Sequence, residues 1–193
     1  MNRRTSSHQA IIAFGSNLGD RRGNISQALQ FIAEDPRIEI NKVSSYFETT
    51  PVGGPSGQSN FINGALIARV RTSARELLCV LHEIEQTLHR KRERFWDART
   101  IDLDLIWFDS EIIDEPGLVV PHPRLYWRSF VLDPICEIAP SIVVPTTQLT
   151  FEEHRNLLYC NFRTFSCMTA ILRRKDGKLA ILERHRTDSN GFI

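Results

Sequence analysis

Asp102 and Asp104 stand two apart in the stretch Arg99-Thr100-Ile101-Asp102-Leu103-Asp104-Leu105-Ile106. In an extended strand alternate side chains share a face. Both carboxylates then project from one side, while Ile101, Leu103 and Leu105 enter a core on the other. Two adjacent carboxylates repel unless a cation lies between them. Oxygen ligands without His or Cys favour a hard ion, and Mg²⁺ takes one or two carboxylates and completes its octahedron with phosphate oxygens and water. A solvated strand face would show the same alternation, so the flanking residues decide. From His89 to Arg99, five of eleven residues are Lys or Arg, and the run leads directly into the pair. Phosphoryl transfer is catalysed mostly by positioning and charge stabilisation, and it needs carboxylates for magnesium beside arginines for a polyphosphate. The sequence therefore predicts a magnesium-dependent phosphoryl-transfer enzyme.

Further donors lie in Pro121-His122-Pro123-Arg124 and at Arg128. Between two prolines His122 sits on stiff backbone with little entropy to lose on binding, as suits a phosphate contact. Phe61 and Asn63 alternate onto one strand face and offer an aromatic plane beside an amide, which can donate and accept along the edge of a flat heterocycle. A core Phe beside a turn Asn is the other reading of that pair, and both stay open at this point. Gly15-Ser16-Asn17-Leu18-Gly19-Asp20 is neither a dinucleotide fingerprint nor a P-loop.

These residues need elements to hold them. Ala10–Phe14 reads as a buried strand ending in the Gly15–Asp20 turn, followed by a helix with Ile25, Ala28, Leu29, Ile32 and Ala33 on one face, limited by Pro36. Ile38–Phe47 reads as a strand, Glu48–Asn60 as a functional loop, and Phe61–Val70 as a strand. Ser73-Ala74-Arg75-Glu76 forms a capping box before a helical face of Leu77, Leu78, Leu81, Ile84 and Leu88. Ile101–Phe108 is the next strand and Ser129–Ile138 a short helix. The order strand, helix, strand, strand, helix, strand predicts an α+β fold: a ferredoxin-like sandwich with a mainly antiparallel sheet and packed helices. Asp176-Gly177 between two apolar runs predicts a C-terminal hairpin. The expected division is a short extension over 1–9, a catalytic domain over 10–145, and a C-terminal extension over 146–193 without an assigned role. Truncation after about Thr147 is expected to keep the chemistry at some cost in stability.

A hydrophobic fraction of 41% and a charged fraction of 24% are those of an ordinary globular protein, and a net charge of +1 argues against a surface built to grip nucleic acid or an anionic membrane. Cys79, Cys136, Cys160 and Cys167 form no C-x-x-C pair and have no histidines at zinc-finger spacing, so they read as reduced thiols of a cytoplasmic protein. The competing class is a ferredoxin-like RNA-binding module, whose open sheet face carries aromatics for bases. Here that face carries two aspartates, which repel phosphate unless a metal intervenes.

Six motifs in order resemble the 6-hydroxymethyl-7,8-dihydropterin pyrophosphokinase family of folate biosynthesis. They are Phe14–Asp20, Thr50–Gly53, Phe61–Asn63, the Glu85 helix with Arg90 and Arg92, Arg99–Asp104, and Val120–Arg124 leading to Arg128–Leu132. The resemblance implies transfer of the diphosphate of ATP to the pterin hydroxymethyl oxygen, releasing AMP, by a monomer that uses neither nucleic acid nor a membrane. It implies two Mg²⁺ ions held by Asp102 and Asp104, with Arg90 and Arg99 as catalytic arginines. Glu85, Arg92, His122 and Arg128 would bind ATP, while Thr50, Pro51, Val52, Phe61, Asn63 and Phe130 would bind the pterin. Loops around 15–23, 48–60 and 90–98 would close over the substrates. One departure is that the family usually has Arg-Trp-Gly-Pro-Arg where this chain has Phe95-Trp96-Asp97-Ala98-Arg99, which removes one basic residue and a rigid Gly-Pro from the third loop.

Overall fold

The computed structural model describes residues 7–51, 57–89, 98–163, 170–173 and 179–182. In chain order the elements are β1 (His8–Ser16), α1 (Arg21–Glu34), β2 (Ile38–Val43), β3 (Phe47–Thr49), β4 (Phe61–Val70), α2 (Ala74–Thr87) and β5 (Asp102–Phe108). They continue with β6 (Ile113–Glu115), β7 (Leu118–Val120), a 3-10 turn (Leu125–Trp127), α3 (Ser129–Ile138), β8 (Val143–Val144), β9 (Leu149–Thr150), α4 (Phe151–Arg163), β10 (Ala170–Arg173) and β11 (Leu179–Leu182).

The main sheet runs β2-β4-β1-β5, with β3 also on β4, and every neighbouring pair is antiparallel. Helix α1 joins β1 to β2 across the inserted β4, and α2 joins β4 to β5 across β1. Two interleaved β-α-β units of this kind make the ferredoxin-like sandwich. Helices cover both faces. On one side Ile25, Ile32, Leu77, Leu81 and Ile84 pack with Ile12, Phe14, Leu66 and Leu103. On the other, Leu125, Leu132, Ile135, Phe151 and Leu158 pack with Ile11, Ala13, Ala65, Ile67 and Ile106. Burial on two faces explains why β1 and β4 are continuous apolar runs instead of alternating ones.

Helix α2 starts as its sequence dictates: Glu76 N donates to Ser73 Oγ at 3.3 Å and Ser73 N to Glu76 Oε2 at 3.1 Å. On α1, Ala33 faces solvent, although its spacing places it with the buried set. The expected strand Ile38–Phe47 is divided. Val43 opposes Leu66 and Phe47 opposes Asn63, so four steps on one side match three on β4. At the break the buried Ser44 Oγ accepts from Ala65 N at 2.9 Å, replacing the missing ladder bond. β3 also takes Glu48 and Thr49 out of the expected loop. Helix α4 was not foreseen, although Thr150 and Glu153 form the same type of capping pair: Thr150 N donates to Glu153 Oε2 at 2.7 Å and Glu153 N to Thr150 Oγ1 at 3.2 Å. β10 and β11 pair antiparallel as expected. The turn between them, and residues 1–6 of the N-terminal extension, lie outside the described residues.

Candidate active site

Register builds the site on the sheet face opposite α1 and α2. Gly15 opposes Asn63 on β4 and Asp102 on β5, while Ala13 opposes Ala65 and Asp104. Directly opposed residues point to the same face, so Asn63, Gly15 and Asp102 form one row and Ala65, Ala13 and Asp104 the next. Two strand spacings, roughly 10 Å, separate the β4 backbone that carries Asn63 from the β5 backbone that carries the carboxylates. On the strand between them stand Gly15, which the Asn63 amide and the Phe61 ring overlie, and Ala13, which with Ala65 is buried in the second core. A methyl group on Gly15 would come within 2.6 Å of Asn63 Oδ1, so Gly is required for the amide to lie over β1.

Each carboxylate has an arginine neighbour. Arg99 Nη1 bonds to Asp102 Oδ2, and Arg128 Nη1 lies 3.8 Å from Asp104 Oδ2. The Arg128 guanidinium also sits 5.6 Å from the centroid of the Phe130 ring, in the first turn of α3. Opposite charges are thus interleaved along one edge of the sheet, and both arginine side chains are partly exposed there. Among the described residues no group of three or more His, Cys, Asp or Glu converges as a metal site. Two same-face carboxylates nevertheless suit Mg²⁺, which draws its other oxygens from phosphate and water.

The outer edge of β5 is tied down on both sides of the pair. Glu85 Oε1, on α2 and 2% exposed, accepts from Leu103 N at 2.7 Å, between the two aspartates in sequence. The resemblance implied a nucleotide contact for Glu85; the bond seen here holds the strand that presents the carboxylates. His122 N donates to Ile106 O at 2.9 Å, which docks the phosphate-side loop along the same edge. His122 Nδ1 accepts from Arg124 N at 3.1 Å, so the neutral ring carries its proton on Nε2. Burial, reinforced by Arg128 and Arg124, pushes the His122 pKa down to about 4. At neutral pH it is an uncharged donor.

On the other side, Asn63 Nδ2 donates to Thr49 Oγ1 at 2.8 Å, placing the amide beside Thr50 and Pro51. Phe61 lies over Gly15, its Cδ1 within 3.7 Å of where a Gly15 Cβ would stand. The structure therefore brings Asn63, Phe61, Asp102, Asp104, Arg99 and Arg128 onto one sheet face and its rim. Arg90, Arg92, Val52, Phe95 and Asp97 lie outside the described residues. Sequence reasoning gave no role to Ala13, Gly15 or Asn17. A Gly at the end of a buried strand, followed by Ser-Asn, was the available signal for the last two.

The sequence profile of the 7,8-dihydro-6-hydroxymethylpterin-pyrophosphokinase family matches residues 11–140, most of the chain and all of this sheet but the first three residues of β1. The chain belongs to that family. Over 133 residues it is 42% identical to the Bacillus subtilis 2-amino-4-hydroxy-6-hydroxymethyldihydropteridine pyrophosphokinase, covering 69% of this chain and 79% of the relative. It is 41% identical over 127 residues to the Lactococcus lactis bifunctional protein FolKE, covering 66% of this chain but 36% of that protein. The chain thus spans well under half the length of the Lactococcus proteins. A solved Plasmodium falciparum HPPK-DHPS structure with pterin and p-hydroxybenzoate superposes with a TM-score of 0.66 at 13% identity, covering 94% of this chain and 49% of that one. At that identity the likeness concerns the fold alone. Among the described residues no helix is long and apolar enough to cross a membrane.

Proposed function

We propose that this chain transfers diphosphate from ATP to the hydroxymethyl oxygen of 6-hydroxymethyl-7,8-dihydropterin and releases AMP. The observation that carries the reading is the row Asn63, Gly15, Asp102: a heterocycle reader and a metal carboxylate stand on either side of a residue without a side chain, in a chain of this family. Asn63 reads the edge of the pterin, with the Thr50 to Val52 segment beside it. Phe61 and Phe130 supply faces for its ring, by offset stacking. Seated there, the ring directs its hydroxymethyl group toward the β5 rim. Arg99, Arg128 and the Nε2–H of His122 hold phosphate oxygens, as Arg90 and Arg92 do on the family reading, which places Glu85 near the nucleotide. The hydroxymethyl oxygen bonds to the β-phosphorus, the bond from that phosphorus to the α–β bridging oxygen breaks, AMP leaves with the bridging oxygen, and the hydroxyl proton goes to solvent. Asp102 and Asp104 would hold two Mg²⁺ ions, which supply charge stabilisation for the transferring group. The same reading takes the protein as a cytoplasmic monomer, and its net charge of +1 does not favour a surface for nucleic acid or an anionic membrane.

The test is to mix purified protein, ATP, Mg²⁺ and the pterin and to identify the nucleotide product. AMP formed in step with pterin diphosphate is expected, and ADP would instead indicate a simple kinase. Asp102→Asn and Asp104→Asn should each lower turnover by about a thousandfold, several kcal/mol of lost charge stabilisation, with the circular dichroism spectrum unchanged. Near-normal turnover in both variants would remove the carboxylates from the mechanism.

A further inference from the structure

Where the strand breaks between β2 and β3, the chain is held on both sides of the sheet. Ser44 fills the gap in the β4 ladder. Tyr46 turns to the side of α1 and α2, where its ring meets Phe14 edge-on at 6.0 Å between centroids. Ser45, between them, reaches α3 instead. Its N donates to Glu137 Oε1 at 3.0 Å and to Oε2 at 3.1 Å, and its hydroxyl donates to Oε1 at 2.8 Å. Both partners are exposed, so water competes for each of them. What singles the contact out is the place of the carboxylate. Glu137 stands in the last turn of α3, where the helix dipole disfavours a negative charge. Two donors of one residue converging on a carboxylate give charge-assisted bonds that offset this.

Downstream of Ser45 lies β3, three residues long and paired with β4 alone among the described strands. A strand that short, with one neighbour, has few bonds to fix its position. Its last residue is Thr49, whose Oγ1 accepts from Asn63 Nδ2, while Asn63 Oδ1 lies over Gly15. We propose that Glu137 is a positioning residue for pterin recognition. It fixes the entry of the chain into β3 and, through Thr49, fixes which end of the Asn63 amide donates and which accepts. An Asn amide turns over with little change of shape, and doing so exchanges its donor with its acceptor. A β3 that shifts along β4 withdraws the Thr49 hydroxyl and releases the amide to turn. This inference rests on the proposed function, which assigns the pterin edge to Asn63, and adds the residue that keeps that side chain in place.

The experiment titrates 6-hydroxymethyl-7,8-dihydropterin into protein holding a non-hydrolysable ATP analogue and Mg²⁺, and titrates the analogue separately. Glu137→Ala should weaken pterin binding about tenfold, the worth of one misplaced hydrogen bond. Its affinity for the analogue and its melting temperature should match the wild type. Glu137→Gln should bind pterin nearly as the wild type does, because Oε1 by itself already accepts from both the N and the hydroxyl of Ser45. Ser45→Ala, at an exposed position, loses the hydroxyl bond and should show a smaller loss in the same direction. It serves as the test should Glu137→Ala fail to fold. Thr49→Val should itself weaken pterin binding, and adding Glu137→Ala to it should weaken binding no further. Unchanged pterin affinity in Glu137→Ala and Ser45→Ala, an equal fall in analogue affinity, or additive losses in the double variant overturns the role of Glu137. A readout without ligand separates this role from the proposed function. In the empty protein the side-chain amide resonances of Asn63 should move in Glu137→Ala and stay in Glu137→Gln, and resonances that stay in both variants overturn the role whatever the activity. AMP formation by the wild type, measured separately, reports whether the proposed function itself stands.

Discussion

A Cβ at Gly15 would stand 2.6 Å from Asn63 Oδ1, and the Asn63 amide is itself anchored by Thr49. Real contacts are not that short, so Gly15→Ala must turn the amide or lift β4 from β1 at this row. Asp102 lies on the other side of Gly15, in the same row but on β5, and its bond to Arg99 does not depend on the amide. The expected outcome is therefore asymmetric. Pterin affinity should fall about tenfold or more, the value of a misaligned buried hydrogen bond, while affinity for the nucleotide analogue stays as in the wild type. Separate titrations of the two ligands check this, and equal losses for both would mean that the substitution disturbs the sheet as a whole. The aspartate pair was legible in the sequence because strand periodicity alone places it on one face. The role of Gly15 was not, because a residue defined by what it lacks becomes visible only when register brings its neighbours across from two other strands.

At the scale of elements, the sequence was most legible where local signals agreed, as in α2 with its capping box and β4 with its continuous apolar run. It was least legible where the cause is non-local. The division of β2 from β3 depends on the count of residues along β4, and the Ser44 hydroxyl that bridges the break meets Ala65 only in the folded sheet. Helix α4 carries a readable cap at Thr150 and Glu153, but the surface that buries its Phe151 and Leu158 comes from α3 and the 3-10 turn and is not visible locally. Its place matters: Phe151 is fully buried and Leu158 nearly so, in the cluster with α3 and the 3-10 turn that leads to Arg128. Tyr126 in that turn bonds through its hydroxyl to Thr146 at 2.7 Å, and its ring rests on His154 of α4. The expectation that a cut after Thr147 spares the chemistry therefore changes. Losing a buried Phe alone costs about 3–5 kcal/mol, a large part of a domain's stability. A chain ending after Thr147 should be largely unfolded by thermal melt and inactive, whereas one ending after Arg163 should melt cooperatively and turn over normally. A folded, active product from the shorter cut would show that the second core does not need α4.

Across the whole molecule, two histidines, the buried His154 and the half-buried His122, make stability depend on pH on the acid side. Burial pushes His154 down to about 4 from an ordinary 6.5, with Glu153 opposing only weakly; its Nε2 lies 2.7 Å from Thr147 Oγ1. His122 is likewise pushed down to about 4, by burial first and by Arg128 and Arg124 next. Above pH 6.5 both rings are neutral whether the chain is folded or unfolded, so they impose no pH dependence there. As pH falls through that value the unfolded chain takes up protons that the folded one refuses, and the native state loses stability until about pH 4 is passed. Glu76, held down to about 2 by Thr72 and Ser73, loses its contribution only at still lower pH, so the histidine window is crossed first. For the nearly inaccessible His154 the full loss is on the order of 3 kcal/mol. The melting temperature should be level at neutral pH and decline steadily below about 6.5. In His154→Gln, which keeps an amide for Thr147 but cannot titrate, the decline should be shallower. An identical slope in the variant would mean that α4 meets its neighbours through an imidazole that protonates freely in place. Because His122 stays neutral until about pH 4, turnover measured below the melting temperature should show no step near pH 6.5 from this ring. Loss of fold, and not loss of a phosphate contact, should therefore set the acid limit of the enzyme.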